Sequence, residues 1–261
     1  MASDVAAPSD GEGGRLLWFA FQAAIGVCAV AYVIGTASAQ ARTPADDELA
    51  RGRELFVTGC SSCHGLNGGG TARGPSLQDA GGASAYYYLV TGRMPAADSS
   101  GQPARKPPAY TPEQIERLVA YVASLGDGPP VPTVDPSRGD LARGGVLFRA
   151  NCAACHNASG IGGALSFGAS APSLAAAEPT VVASAMRIGP GEMPVFGRQL
   201  FDDQDVNDIV RYVRFLQDPP DPGGAPLGRA GPIPEGFVAW VIGMGLLVVA
   251  VLWIGTRAPS T

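Results

Sequence analysis

The chain has 261 residues, 46% hydrophobic and 16% charged, and its 36 Gly and 23 Pro assign a large share of it to turns and loops. Its apolar content is too high for a disordered polymer. With 23 acidic against 18 basic residues the net charge is −5, which excludes a broad basic face for nucleic acid.

Residues 1–15 form a short polar head ending in Arg15, and Leu16–Gly35 follows without a charge. Two readings stand for this stretch. The A-x-A pattern at Ala37-Ser38-Ala39 fits a signal peptide, whereas a retained anchor fits because the stretch outruns a signal core of about 7–15 residues. Cys28 inside it reads as a small buried hydrophobe, since the bulky Val27 before it does not suit a lipoprotein site.

The middle of the chain is written twice. Leu49-Ala50-Arg51-Gly52, Leu55-Phe56 and CSSCH return 92 residues later as Leu141-Ala142-Arg143-Gly144, Leu147-Phe148 and CAACH. TGRMP ending at Pro95 is echoed by PGEMP ending at Pro194, and RLVAYVASL from Arg117 by DIVRYVRFL from Asp208. Two domains of one kind, over 46–126 and 138–218, are the simple explanation. Leu118, Tyr121, Val122 and Leu125 recur at helical spacing behind a capping box, Thr111-Pro112-Glu113-Gln114; Ile209, Tyr212, Val213 and Leu216 repeat the stripe behind Asp202. Strand alternation is absent, so the expected fold is all-α, with loops long enough to need a large group to pack on. Residues 127–137 form a stiff Pro-rich linker between the copies, and residues 219–236 a second Pro/Gly linker.

Phe237–Gly255 is free of charge and long enough to cross a bilayer, with Trp240 and Trp253 near its ends and Arg257 in the short tail 256–261. Arg15 and Arg257 place both tails in the cytoplasm, so the repeats face outward from the plasma membrane.

Cys60-x-x-Cys63-His64 and Cys152-x-x-Cys155-His156 read as c-type haem attachment, each pair of thiols adding to one haem and each His ligating its iron. Together they use every cysteine outside the apolar segments and both histidines, so the expected cofactors are two covalently bound haem c. A disulfide leaves both His unexplained, a thioredoxin-like pair wants a βαβ context, and a zinc site wants its Cys pairs closer in sequence. The sixth ligand falls to Met by elimination. Met94 serves the first copy; Met193 matches it in the repeat, while Met186 competes from an apolar run that suits a core. His/Met ligation closes the iron and points to electron transfer rather than catalysis.

Each repeat resembles a class I cytochrome c domain. The resemblance implies that Gly52 packs on Tyr121 and Gly144 on Tyr212 where terminal helices cross, and that the carbonyls of Pro75 and Pro172 orient the two histidines. The whole plan resembles the dihaem cytochrome c subunits of actinobacterial menaquinol–cytochrome c reductases (cytochrome bcc complexes). That likeness implies cytochrome b and Rieske subunits as partners, a cytochrome c oxidase in a supercomplex, lipid contact and no nucleic acid. Its function would be relay from the Rieske iron–sulfur protein to the oxidase copper, with no catalysis by this chain alone. A dihaem subunit of another terminal oxidase, or an electron-acceptor subunit of a periplasmic dehydrogenase, stays open beside it.

Overall fold

The computed structural model describes residues 43–97, 101–220 and 232–257, with isolated helical positions Phe21, Gln22 and Ile25. Apart from those three positions the predicted helix over 16–35 lies outside the described residues, as do Arg15, Cys28 and the A-x-A pattern. The chain divides into two units, residues 1–47 and 48–261. The described part of the first opens helix α1 (Pro44–Gly59), where Thr43 N–H donates to Asp46 Oδ2 at 3.1 Å and Asp46 N–H to Thr43 Oγ1 at 3.2 Å, a reciprocal cap.

The second unit is mostly helical. In the first repeat α1 crosses α4 (Pro112–Ala123), and in the second α5 (Leu141–Asn151) crosses α8 (Asp203–Gln217). Both crossings need a missing side chain. A Cβ on Gly52 would run into the Arg117 carbonyl and lie 3.1 Å from Tyr121 Cβ; one on Gly144 would run into the Asp208 carbonyl and lie 3.1 Å from Tyr212 Cβ. Phe56 packs on Tyr121 with centroids 5.1 Å apart, and Phe148 on Tyr212 at 5.4 Å. The cap of α4 forms as its sequence predicts, with Gln114 N–H on Thr111 Oγ1 and Thr111 N–H on Gln114 Oε1 at 3.0 Å. Asp202 caps α8, and Asp205 completes a second reciprocal pair.

Each repeat also has a middle helix, α3 (Gly81–Val90) and α7 (Pro179–Ile188). These equivalent helices pack against each other and join the repeats. Tyr86 shares a side-chain hydrogen bond with Thr180, and the Arg105 guanidinium reaches the Ala176 carbonyl at 3.5 Å. The linker is pinned at both ends. Ala83 N–H donates to Pro129 O at 3.0 Å and Asp127 N–H to Asp79 Oδ1 at 3.1 Å on the first repeat, while Asp135 N–H donates to Asn207 Oδ1 at 2.9 Å on the second.

One small sheet interrupts the helical pattern. β1 (Gly163–Ala164) pairs antiparallel with β2 (Ser170–Ala171). Phe167 at its tip is fully exposed, in the left-handed region at φ +57°. The first repeat closes the same loop with a single bridge, Thr71 to Gly74. The last described element, α9 (Pro232–Arg257), includes an apolar span over Gly236–Arg257 with mean hydropathy 2.6, none of it buried, in keeping with a membrane-crossing helix. Arg257 lies over the Trp253 ring at 4.5 Å.

Candidate functional site

The two attachment motifs fold as single helical turns, α2 (Ser61–His64) and α6 (Ala153–His156). His64 N–H returns to Cys60 O at 3.0 Å and His156 N–H to Cys152 O at 2.9 Å. Residues three apart share one face of such a turn, so each thiol pair faces the same way. Cys60, Cys63, Cys152 and Cys155 form no disulfide, which leaves each pair for thioether attachment. Burial pushes the Cys152 thiol up to about 11, with Cys155 adding to the effect. Burial also raises Cys60, opposed by a hydrogen bond with Tyr110.

The chain after each turn doubles back to hold the histidine. Gly70 and Gly162 both sit at φ +83°, a conformation that a side chain would strain, and their N–H groups return to His64 O and His156 O at 2.8 and 2.9 Å. The doubled-back segment carries a proline carbonyl onto the imidazole: His64 Nδ1 lies 2.8 Å from Pro75 O and His156 Nδ1 lies 3.0 Å from Pro172 O. A carbonyl only accepts, so each Nδ1 carries the proton and each Nε2 keeps its lone pair for a metal. Burial lowers the His156 pKa, with the Pro172 hydrogen bond opposing, and so favours that neutral ring.

The methionines come in on the loops that follow the middle helices. Met94 N–H donates to Tyr88 O at 3.1 Å, and Met94 packs half-buried against the core that includes Phe56 and Leu118, as Cys60 does. The loop bearing Met193 is tied down by Phe196 N–H on Met186 O at 2.8 Å and by buried Arg187, which donates to Phe196 O at 3.0 Å and Phe201 O at 2.8 Å. Met193 is half-buried, whereas Met186 lies within α7 and is 2% exposed. Cys152, Cys155, His156, Pro172 and Met193 line one mainly apolar cavity that opens to solvent; Met186 contributes to its wall. Two thiols, an imidazole and a thioether lining one apolar space fit a covalently attached haem. Among the described residues no three His, Cys, Asp or Glu side chains converge as a site for a bare metal ion.

Tyr87, Thr91, Arg93, Gln102 and Arg105 of the first repeat also wall this second cavity. No local pattern announces them, because they precede the CAACH motif by tens of residues and reach it only through the packing of α3 on α7. The acidic residues opening α8 are also absorbed by the fold. Arg143 pairs with Asp205 and with Asp208, while Arg187 and Arg198 both pair with Asp203 at 3.0 Å, so this cluster braces helices rather than offering a free face.

Residues 49–126 match the family model for cytochrome c, and residues 139–213 match that for subunit III of cbb3-type cytochrome c oxidase. The chain is 44% identical over 219 residues to a cytochrome bc1 complex cytochrome c subunit of Mycobacterium leprae, covering 80% of this chain and 76% of that protein. It is 41% identical over 257 residues to the protein of the same name from Mycobacterium bovis, covering 95% and 91%. A more distant relative is the cbb3-type cytochrome c oxidase subunit CcoP of Azospirillum, 30% identical over 190 residues, covering 64% and 62%. Two cytochrome c regions, each with one CxxCH turn, carry two covalently bound haem c groups.

Proposed function

The chain belongs to the family of cytochrome bc1 complex cytochrome c subunits, and from that premise we propose that it relays electrons from a Rieske iron–sulfur protein, beside cytochrome b, to the copper centre of a terminal oxidase. Haem c supplies reversible one-electron transfer at its iron. Cys60 with Cys63 and Cys152 with Cys155 hold the two groups covalently. His64 and His156 are the proximal ligands, fixed in orientation and tautomer by the Pro75 and Pro172 carbonyls. Met94 and Met193 would supply the second iron ligand of each group, since both histidines of the chain are committed. Iron held by a histidine and a methionine at once would leave no place for substrate, which suits a relay and not a peroxidase.

The observation that carries this reading is the joining of two such sites in one unit by α3 and α7, with a pinned linker between them. Fixed neighbours on a membrane surface meet at high effective concentration and need no diffusing carrier. The span Gly236–Arg257 anchors the chain, and the positive-inside rule applied to Arg257 turns the haem regions outward. A second reading, a subunit of a terminal oxidase itself, draws on the oxidase family model matched by residues 139–213.

Menaquinol-driven oxygen uptake by the detergent-solubilised assembly separates these readings. Uptake should proceed without added cytochrome c, and His156→Ala should stop it while the first haem still becomes reduced. A need for soluble cytochrome c would overturn the built-in relay. Purification of the chain with an oxidase but no cytochrome b would favour the second reading.

A further inference from the structure

Arg93 is an unusual residue to bury. It is 6% exposed, yet its neighbours among the described residues are phenols: its guanidinium lies 5.0 Å from the centroid of the Tyr87 ring, and its charge also acts on Tyr88. Among the described residues it has neither an acidic partner nor a hydrogen-bonded carbonyl. A guanidinium taken out of water without an anion is costly, and buried charges are ordinarily paired. The internal repeat sharpens the anomaly. Arg93 precedes Met94, and the residue in the same place before Met193 is Glu192, so the repeat as such does not require a cation here.

The side chain is not aimed at its own repeat alone. Arg93 lines the cavity that holds Cys152, Cys155 and His156 of the second repeat, and Tyr87, Gln102 and Arg105 line the same wall. The first repeat thus presents two guanidinium groups, an amide and a phenol to a cavity whose remaining lining is mainly apolar. The second repeat answers with the carboxylate of Glu192 alone among acidic residues of that lining. A haem carries two carboxylates on its propionate side chains, and a planar guanidinium is the side chain best matched to a carboxylate.

We propose that the second haem site is completed in trans by the first repeat: Arg93, supported by Arg105, binds the propionate carboxylates of the haem attached at Cys152 and Cys155. This rests on the assignment of that haem to the cavity of the second repeat. Burial supplies the low dielectric that makes the pairing strong, and the haem carboxylates supply the anion Arg93 lacks. The contact has two consequences. It would clamp α3 against α7 once the haem is attached, and it would set a fixed positive charge at the second haem's carboxylates, which favours the reduced state.

The test uses the full-length protein with both haems, titrated electrochemically with the two haems resolved by their spectra. Arg93→Gln keeps a polar side chain and removes the charge. It should lower the equilibrium constant for reduction of the second haem about tenfold, a fall of ~59 mV for a one-electron couple. The first haem should hold its potential and its Met ligation. Arg93→Lys should recover most of the shift, which a purely packing role for the arginine would not predict. Arg105 is exposed, so Arg105→Gln tests the same wall without risk to folding and should give a smaller fall at the same haem. Unchanged potentials in both Gln variants would overturn the proposal, as would a shift confined to the first haem. A normal second site in the His64→Ala chain, with an Arg93-dependent potential, would show that failure of the relay reading leaves this one intact.

Discussion

The two repeats build one cradle with opposite charges. In the first, Glu48 on α1 accepts from Arg117 on α4 at 2.6 Å. In the second, the base is Arg143 on α5 and the acids are Asp205 and Asp208 on α8. Yet the glycine–aromatic crossing, the doubled-back loop and the His–Pro carbonyl contact are the same in both. The features held in common all fix where backbone and imidazole lie relative to the two thiols. The features that differ only join helices that the crossing has already placed. Attachment chemistry constrains geometry tightly, while an ion pair between two crossing helices works in either polarity. The same contrast holds in the loop after each motif, where the single Thr71–Gly74 bridge becomes the β1–β2 hairpin without moving the proline carbonyl away from the histidine.

The crossing glycines are the sharpest place to break this likeness. Alanine is the better helix former by roughly 1 kcal/mol, so propensity alone predicts that Gly144→Ala stabilises α5. The added Cβ, however, runs into the Asp208 carbonyl, backbone that cannot swing aside. Overpacking typically costs about 1–3 kcal/mol, and here the obstacle is backbone rather than a side chain that could move, so the clash wins. Gly144→Ala should leave the chain with the first haem normally ligated and the second perturbed or missing, read by haem stoichiometry on a denaturing gel and by ligand-band spectra. Gly52→Ala should do the reverse. Loss of both haems from either substitution would show that the repeats fold as one cooperative body.

A smaller effect is expected at the iron. Met94→Leu and Met193→Leu should each remove the His/Met spectral signature from one haem and lower its potential, leaving the other nearly unchanged. Met186→Leu should keep both signatures, since a buried Leu nearly matches the volume it replaces within α7. Loss of the second signature in Met186→Leu but not in Met193→Leu would move the ligand from the loop to the helix.

How much of this was legible beforehand follows the range of each interaction. CxxCH, both N-caps and the 92-residue echo are local or repeated patterns, and they predict α1, α4, α5 and α8 directly. The middle helices were harder to see. GGASAYYYLV has no clean polar face, because α3 packs on α4 to one side and on α7 to the other. Its apolar residues therefore do not fall on one stripe. The hairpin at 163–171 carries no strand alternation, being two residues per strand. Arg93 and Arg105 carry no local signal for a role at the second motif, and only the α3–α7 contact places them at the other repeat's cavity.

The reversed ion pairs give the smallest and most discriminating comparison. Asp208 is fully buried, and its Oδ1 accepts from Asp140 N–H at 2.7 Å and from the Gln204 amide at 2.8 Å while Arg143 lies 3.3 Å from Oδ2. Asp208→Ala strands the Asp140 N–H at the start of α5, while the Gln204 amide keeps the Arg138 carbonyl, and should cost the second repeat about 1–3 kcal/mol in urea unfolding. Glu48 is exposed, so Glu48→Gln should change the first repeat far less. Its effect should nevertheless show a pH signature. The Arg117 hydrogen bond, helped by the charges of Arg117 and Arg51, holds the Glu48 carboxyl below its usual value. A depressed carboxyl stabilises the folded state above its unfolded pKa, and that contribution disappears as pH falls through the folded value. The parent chain and Glu48→Gln should therefore differ slightly at neutral pH and converge only in acid below the depressed folded-state pKa of Glu48, where the carboxyl is protonated in both states of the parent. A difference that persisted unchanged into acid would mean that Glu48 acts by packing across the α1–α4 crossing, and the charge reversal between the repeats would then have no electrostatic content in the first.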